Sequence, residues 1–436
     1  MIWLGLCLVT AAATMSAPAD SGLRAISLDE AVALAQRNAP LVIQAEGQRR
    51  TSAMGIRTAY SAFIPSLSLS AGASRQLPLQ AGVRQNRGGQ QVILSPKPWS
   101  VSTGLDATVD LFVGGRRLFD LQQARAQSVV AGSNLVTQRY AAALAAKQQF
   151  FNVLASRESE TAARTQLQQA EQQLRTSVLQ LKARVVTRSD SLRSEIQVHN
   201  ARLALLEART ALDLANATLT RTVGAPDLVT AAADDSLDRP GLAVGDEALT
   251  QLALNGPEVQ QASAKLDAAK AALRIGWAAY LPSVSASYSR GGNGAGGSPL
   301  LANDSLAYSG QLRFSLSFPI FEQFQRAAQV TQAQVTRDNA EADLRDAKLA
   351  ALESLTQSLG SFHAAEERVA TQSATVEAAE EDLREQQDKY SVGTSTLLDV
   401  LASQTTLDQA RHDLIQARYD QRVAKAQLEA LVGRSL

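Results

Sequence analysis

Residues 116–182 contain no proline and one glycine, Gly132. Read as a single helix, that segment extends about 100 Å at 1.5 Å per residue, more than one compact domain accommodates. Segments 188–222, 322–389 and 396–432 have the same helical character. Rods of this length project together or wind into coiled coils. Their apolar residues agree: Leu167, Leu174 and Leu181 stand seven apart, as do Val369, Val376, Leu383 and Tyr390, and Val400, Leu407 and Leu414. Seven-residue spacing makes a coiled-coil seam. Residues 188–222 carry two seams, Ile196 with Leu203, and Leu205 with Leu212 and Leu219. Such a helix packs against a neighbour on each side, as in the wall of a cylinder.

The chain is duplicated. Asp29-Glu30-Ala31 recurs 217 residues later as Asp246-Glu247-Ala248, and at that offset Asn38 and Pro40 match Asn255 and Pro257. Further on the offset is 209, which aligns Leu111-Phe112 with Ile320-Phe321, Arg117 with Arg326, Asp190 with Asp399, and Val223-Gly224 with Val432-Gly433. Residues 20–224 form the first repeat and 246–436 the second. Residues 225–245, rich in Asp, Pro, Gly and Ala, read as a linker. Each repeat is a helix, two strands, and then two long helices. Ser27-Leu28-Asp29-Glu30 is a capping-box pattern that opens a helix ending near Phe63.

Strands are expected near 66–76, 99–112, 283–290 and 306–318, where apolar and polar residues alternate. In the last, Tyr308, Leu312, Phe314, Leu316 and Phe318 face away from Ser309, Gln311, Arg313, Ser315 and Ser317. Val101, Leu105, Ala107, Val109 and Leu111 form the apolar series of the second strand. A half-buried sheet in a soluble domain gives the same alternation. Two features favour a bilayer: the strands suit a tilted crossing, and Trp99, Phe112, Tyr280, Tyr308 and Phe318 stand at strand ends as an interfacial girdle requires. Four strands do not close a barrel, for which about eight is the practical minimum. Open edges in lipid leave backbone groups unsatisfied. If these strands cross a membrane, several copies must build one barrel.

The remaining signals restrict function further. Residues 1–19 carry no charge, and 2–13 are nearly all apolar, which reads as a signal peptide for export. The 42 basic and 42 acidic side chains cancel, so nothing marks a nucleic-acid partner. Cys7 is the sole cysteine, and His199, His363 and His412 are scattered. That leaves no expected metal site, and no nucleophile–base pair appears, so neither cofactor nor enzyme activity is expected. Gly292, Gly294 and Gly297 match a dinucleotide-binding spacing, but the helix that would hold a phosphate does not follow. A flexible hairpin loop is the expectation there.

With the duplicated Asp-Glu-Ala…Asn-x-Pro helix, the Pro-Ser-Leu-Ser and Pro-Ser-Val-Ser strand starts, the Leu-Phe-Val-Gly-Gly-Arg turn at 111–116, and Tyr390-Ser-Val-Gly-Thr-Ser-Thr-Leu-Leu-Asp-Val-Leu401, the chain resembles the TolC-type outer-membrane efflux protein family. The likeness covers essentially the whole mature length. It implies an α+β membrane protein of the Gram-negative outer membrane. Four transmembrane strands per chain would enter a 12-stranded trimeric β-barrel, continued by a coiled-coil helical tunnel through the periplasm. It also implies a homotrimer set in outer-membrane lipid, with a periplasmic adaptor and an inner-membrane pump as partners, in efflux or type I secretion.

Residue by residue, the resemblance places adaptor-docking tips at Val392, Gly393 and Thr394 and at Arg184 and Val185. Arg184 stands where the family has glycine. It assigns the periplasmic gate to Tyr390 and Asp190, with Ser395 in place of the family's arginine and Arg188 near enough to substitute. Asp399 matches one acidic ring at the constriction, whereas Ala402 replaces the second. Taken alone, Tyr390 extends a packing seam, and Asp190 and Asp399 suit the first turns of helices. The alternative function is a periplasmic coiled-coil scaffold without a pore. A diffusion porin is disfavoured by the helical bulk.

Overall fold

The computed structural model describes residues 23–77, 83–87, 90–94, 98–184, 186–232, 245–296, 298, 306–434 and 436. The signal segment 1–19 lies outside the described residues. In chain order the elements are β1 (Arg24–Ile26), α1 (Leu28–Asn38), α2 (Pro40–Ser61), β2 (Ser66–Arg75), β3 (Val83–Arg87), β4 (Gln90–Leu94), β5 (Trp99–Val113), α3 (Arg116–Lys182) and α4 (Arg188–Val223). Then follow β6 (Val229–Ala231), α5 (Asp246–Leu254), α6 (Pro257–Ala278), β7 (Ser283–Gly296), β8 (Ala307–Ser317), α7 (Gln325–Ser391) and α8 (Leu397–Val432). No described helix is long and apolar enough to cross a membrane.

The expected long helices and strands are present, with four differences. The strand expected to end near 290 runs on to Gly296, so Gly292 and Gly294 pair within β7 instead of lying in a hairpin loop. The helix expected over 27–63 is two. Ala39 is extended, as the residue before a proline prefers, and Pro40 opens α2 where its missing N–H costs nothing. Inside the first repeat's loop, β3 and β4 form an antiparallel hairpin. The presumed linker holds β6, which pairs in parallel with β1. Residues 233–244 of it lie outside the described residues.

The chain divides into two compact units. Of the described residues, those within 23–35, 145–232 and 369–420 make one, and those within 36–144, 245–368 and 421–436 make the other. In the first unit, Ile26, Val229 and Ala231 are buried at the β1–β6 pair. Thr220 Oγ1 accepts from Val229 N at 3.0 Å, and Arg157 Nη2 donates to Thr230 Oγ1 at 2.8 Å. The heptads pack as spaced: Leu383, Val400 and Leu407 are buried in one cluster with Val376 and Tyr390 against it, while Ala170, Val198 and Ala201 bury beside Leu167 and Leu174.

The second unit holds the sheet β2-β5-β7-β8, antiparallel throughout. Its register keeps parity, so Leu69, Leu105, Tyr288 and Leu312 fall on one face and Ser68, Asp106, Ser289 and Gln311 on the other. A bulge between Asp110 and Phe112 skips Leu111 and sets Phe112 opposite Val284. Leu111 therefore does not continue the apolar series; Phe112 does. Below the sheet, Leu249, Leu355, Phe362 and Leu428 bury together in the unit's core.

The duplication is written in the backbone. Among the described residues, every position with positive φ has its counterpart 209 residues away: Gly114 with Gln323, Gly115 with Phe324, Arg184 with Gly393, and Gly224 with Gly433. The turns kept their shape where glycine was lost. At Gly114 glycine is obligatory, since a Cβ would lie 2.5 Å from the Ala278 carbonyl oxygen.

Candidate functional site at the helical tips and the sheet

Each helical hairpin of the first unit ends in a turn followed by the same cap. Thr187 caps α4: Asp190 N donates to Thr187 Oγ1 at 3.3 Å, while Thr187 N donates to Asp190 Oδ2 at 3.0 Å. Thr396 and Asp399 repeat this before α8 at 3.3 and 2.9 Å. Each carboxylate also takes the threonine hydroxyl at 2.6 Å, and Ser395 Oγ adds a bond to Asp399 at 3.1 Å. These bonds, the threonine hydroxyl foremost, hold both carboxyls below the ordinary aspartate range. A depressed folded pKa gives stability that is present above the unfolded value of about 3.9 and lost as pH falls through the folded one. Both tips are thereby acid-sensitive. The capping role of Asp190 and Asp399 is observed directly, and the threonine three residues earlier is the sequence signal that reveals it.

Tyr390 lies in the last turn of α7, half-buried on the Leu383–Val400 cluster. Its hydroxyl is buried with no hydrogen-bond partner in the described structure. Burial first, and then the negative charge of Asp190, hold the phenol above its usual pKa. The structure thus brings Tyr390 and Asp190 into one electrostatic neighbourhood without a hydrogen bond. Ser395, which stands in place of the family's arginine, has its hydroxyl 3.0 Å from Gln386 Oε1 and 3.1 Å from Asp399 Oδ2, and its one proton serves either acceptor in turn. Arg188 makes no ion pair among the described residues; the cation whose charge acts on Asp190 is Arg193, one turn along α4. Its i,i+3 spacing is the signal that would have found it.

Two polar pairs also bridge the long helices of this unit. Ser177 and Ser194 hydroxyls meet at 2.9 Å, and Gln166 Nε2 donates to Asp408 at 2.6 Å. Burial raises the Asp408 carboxyl. Here the linkage sign is reversed: the charged form destabilises the fold, and protonation as pH falls through the raised pKa restores stability. No cluster of metal-ligating side chains occurs among the described residues.

The tip turns differ in strain. Gly393 has φ 79° and Val392 is 73% exposed. Thr394 N closes the turn on Lys389 O at 2.9 Å. Arg184 takes φ 60° in the other turn, a conformation costing a non-glycine residue roughly 1 kcal/mol. Val185 lies outside the described residues. Arg184→Gly is expected to slow hydrogen exchange of the tip amides several-fold; unchanged exchange would show that the turn carries no strain.

At the sheet, Trp99 and Tyr308 stand at the end far from the long helices, whereas Phe112, Tyr280 and Phe318 stand at the near end. Three aromatics outside the strand pattern join the near end, Tyr60, Phe63 and Trp277. Arg125, Arg117 and Arg326 lie over the rings of Tyr60, Phe63 and Tyr280 at 5.8, 5.5 and 5.1 Å. Between the two levels the apolar face is bare: Leu69 is 81% and Phe314 67% exposed.

Comparison with known proteins gives this architecture its context. The sequence profile of the family described as outer membrane efflux protein matches residues 31–225 and 248–434. Outer membrane protein TolC of Escherichia coli (strain K12) is 28% identical over 131 residues, 30% of this chain and 27% of TolC. The match therefore spans little more than a quarter of that relative. Pyoverdine export outer membrane protein OpmQ of Pseudomonas aeruginosa is 27% identical over 381 residues, covering 85% of this chain and 76% of OpmQ. Two solved structures share the fold: CusC, at 17% identity and TM-score 0.79 over 97% of this chain and 96% of CusC, and the MtrE outer membrane channel of Neisseria gonorrhoeae, at 19% and 0.75 over 94% and 89%. The chain belongs to the outer membrane efflux protein family, an outer-membrane protein whose long helices lie in the periplasm.

Proposed function

We propose that this chain is the outer-membrane channel of a tripartite efflux or type I secretion system. Three copies close one twelve-stranded barrel, and cargo passes passively from an inner-membrane pump and periplasmic adaptor to the exterior. The observation that carries this reading is the sheet, whose edges β2 and β8 are unpaired among the described residues and whose exposed apolar face is bracketed by aromatic levels. In lipid such edges must pair, and β8 of one copy beside β2 of the next closes the ladder. The second seam of α4 supports the same assembly: Leu219 and Leu205 are buried within the chain, whereas Ile196 and Leu203 are each 59% exposed. A scaffold without a pore gives no reason for the apolar sheet face.

In this assembly Val392, Gly393 and Thr394, with Arg184 and Val185, dock the adaptor. Asp190, Tyr390 and Asp399 form the constriction. Three copies of Asp399 around one lumen attract cations and repel anions. Asp399→Ala should lower cation selectivity in planar-bilayer reversal potentials; unchanged selectivity would remove the residue from the lumen. For the partners, the tagged chain cross-linked in its native cells should co-purify a periplasmic adaptor and an energised inner-membrane pump. Recovery of the chain alone would defeat the tripartite reading.

A further inference from the structure

The zero net charge conceals an opposition between the repeats. Residues 20–224 carry 24 Lys and Arg against 14 Asp and Glu; residues 225–436 carry 18 against 28. The contrast reaches the two tips. At the first stand Lys182, Arg184, Arg188 and Arg193; at the offset of 209 their counterparts are Ser391, Gly393, Leu397 and Ala402, all uncharged. The capping aspartate is the same in both, Asp190 and Asp399.

Nor are the basic side chains nearest the first turn used in ion pairs within the described residues. Among the described residues, Lys182, Arg184 and Arg188 form no ion pair, and all three are exposed. At the second tip the cations are neutralised: Lys389 pairs with Glu385 at 2.7 Å and Arg384 with Glu381 at 2.8 Å. Arg184 moreover keeps a left-handed backbone that its counterpart meets with glycine. A strained, unpaired arginine at a solvent-exposed turn has no structural benefit to the hairpin that holds it. Its benefit lies in what the turn presents.

We infer that the first tip docks a carboxylate-bearing segment of a periplasmic protein, so that each chain offers two chemically distinct docking sites, one cationic and one neutral. This rests on the reading of the tips as docking sites and adds the chemistry of one of them. A protein segment is favoured over a lipid surface because the cations sit at the turn between α3 and α4, at the end of α3 opposite to the one that follows β5, and no apolar face of the kind the sheet carries accompanies them. A guanidinium also pairs a carboxylate through two parallel hydrogen bonds, which gives register as well as attraction.

The test uses the full-length chain in its native cells, with a photo-cross-linking amino acid at Ala183 or at its counterpart Val392. Both are exposed and neither is among the cations. The inference expects Ala183 to capture a protein peptide with more Asp and Glu than Lys and Arg. Combined Arg184→Glu and Arg188→Glu should cut that adduct at least about tenfold and leave the Val392 adduct unchanged. The inference is overturned by a neutral or basic peptide, an adduct indifferent to charge reversal, capture of lipid or cell wall, capture of a second copy of this chain, or no adduct at Ala183 while Val392 gives one. Failure at Ala183 with success at Val392 leaves the docking reading standing; no adduct at either position removes both.

Discussion

Ile196→Asp combined with Leu203→Asp is expected to leave the single chain folded and abolish the assembly. Both side chains are 59% exposed in the isolated chain, so its helical content and thermal unfolding should barely change. In the proposed assembly each covers a neighbouring copy. Burial of one such side chain is worth about 1.5–3 kcal/mol. The pair therefore removes roughly 3–6 kcal/mol per interface before the cost of enclosing two carboxylates is counted. At about 1.4 kcal/mol per tenfold, the loss exceeds a hundredfold at each interface. Native mass spectrometry of the detergent-solubilised protein should then show only single chains. Leu219→Asp is the contrasting case: that residue is fully buried within the chain, and its substitution should unfold α4 itself. An unaltered oligomer in the double variant would place the contact between copies elsewhere.

Phe314→Arg should almost eliminate the protein from the outer membrane. Phe314 is opposite Ala286, midway between Tyr308 and Phe318 on the apolar face. A cation at the middle of a barrel's lipid face costs about 2–4 kcal/mol. That corresponds to a thirtyfold or greater shift against insertion. Ser315→Arg, one residue on, points to the polar face that already holds Arg313, and it should insert normally. Membrane fractionation distinguishes the two. Equal loss in both variants would mean that the sheet's faces are not partitioned between lipid and water.

The elements with the strongest periodicity were legible in the sequence. Helix α3 spans the proline-free segment 116–182, because nothing inside it competes with the i→i−4 ladder. The strands were legible because one face is apolar over their whole length, a pattern that fixes register as well as existence. The parallel pair β1–β6 was not legible. Three residues are too few for a period, and the partner lies more than 200 positions away, in a stretch whose composition reads as linker. The division of the first helix at Ala39-Pro40 did have a signal, the restricted residue before proline, but the helical pattern on both sides masked it.

The tips divide in the same way. The family likeness placed them, and Arg184 and Gly393, 209 residues apart, share a positive φ. The threonine caps were present in the sequence as Thr187-x-x-Asp190 and Thr396-x-x-Asp399, and they tie both aspartates into their own helices. What no local pattern reveals is the buried, unpartnered hydroxyl of Tyr390, because it depends on packing between α7 and α8. The negative charge of Asp190, the residue the family likeness assigned to the gate, acts on that hydroxyl.

The central claim is that copies of this chain close a common pore, and planar-bilayer recording of the purified protein tests it most directly. Wild-type oligomer should give discrete, ohmic conductance steps, while single chains of the Ile196→Asp, Leu203→Asp variant give none. A stable wild-type oligomer that inserts and yet conducts no ions would contradict the account.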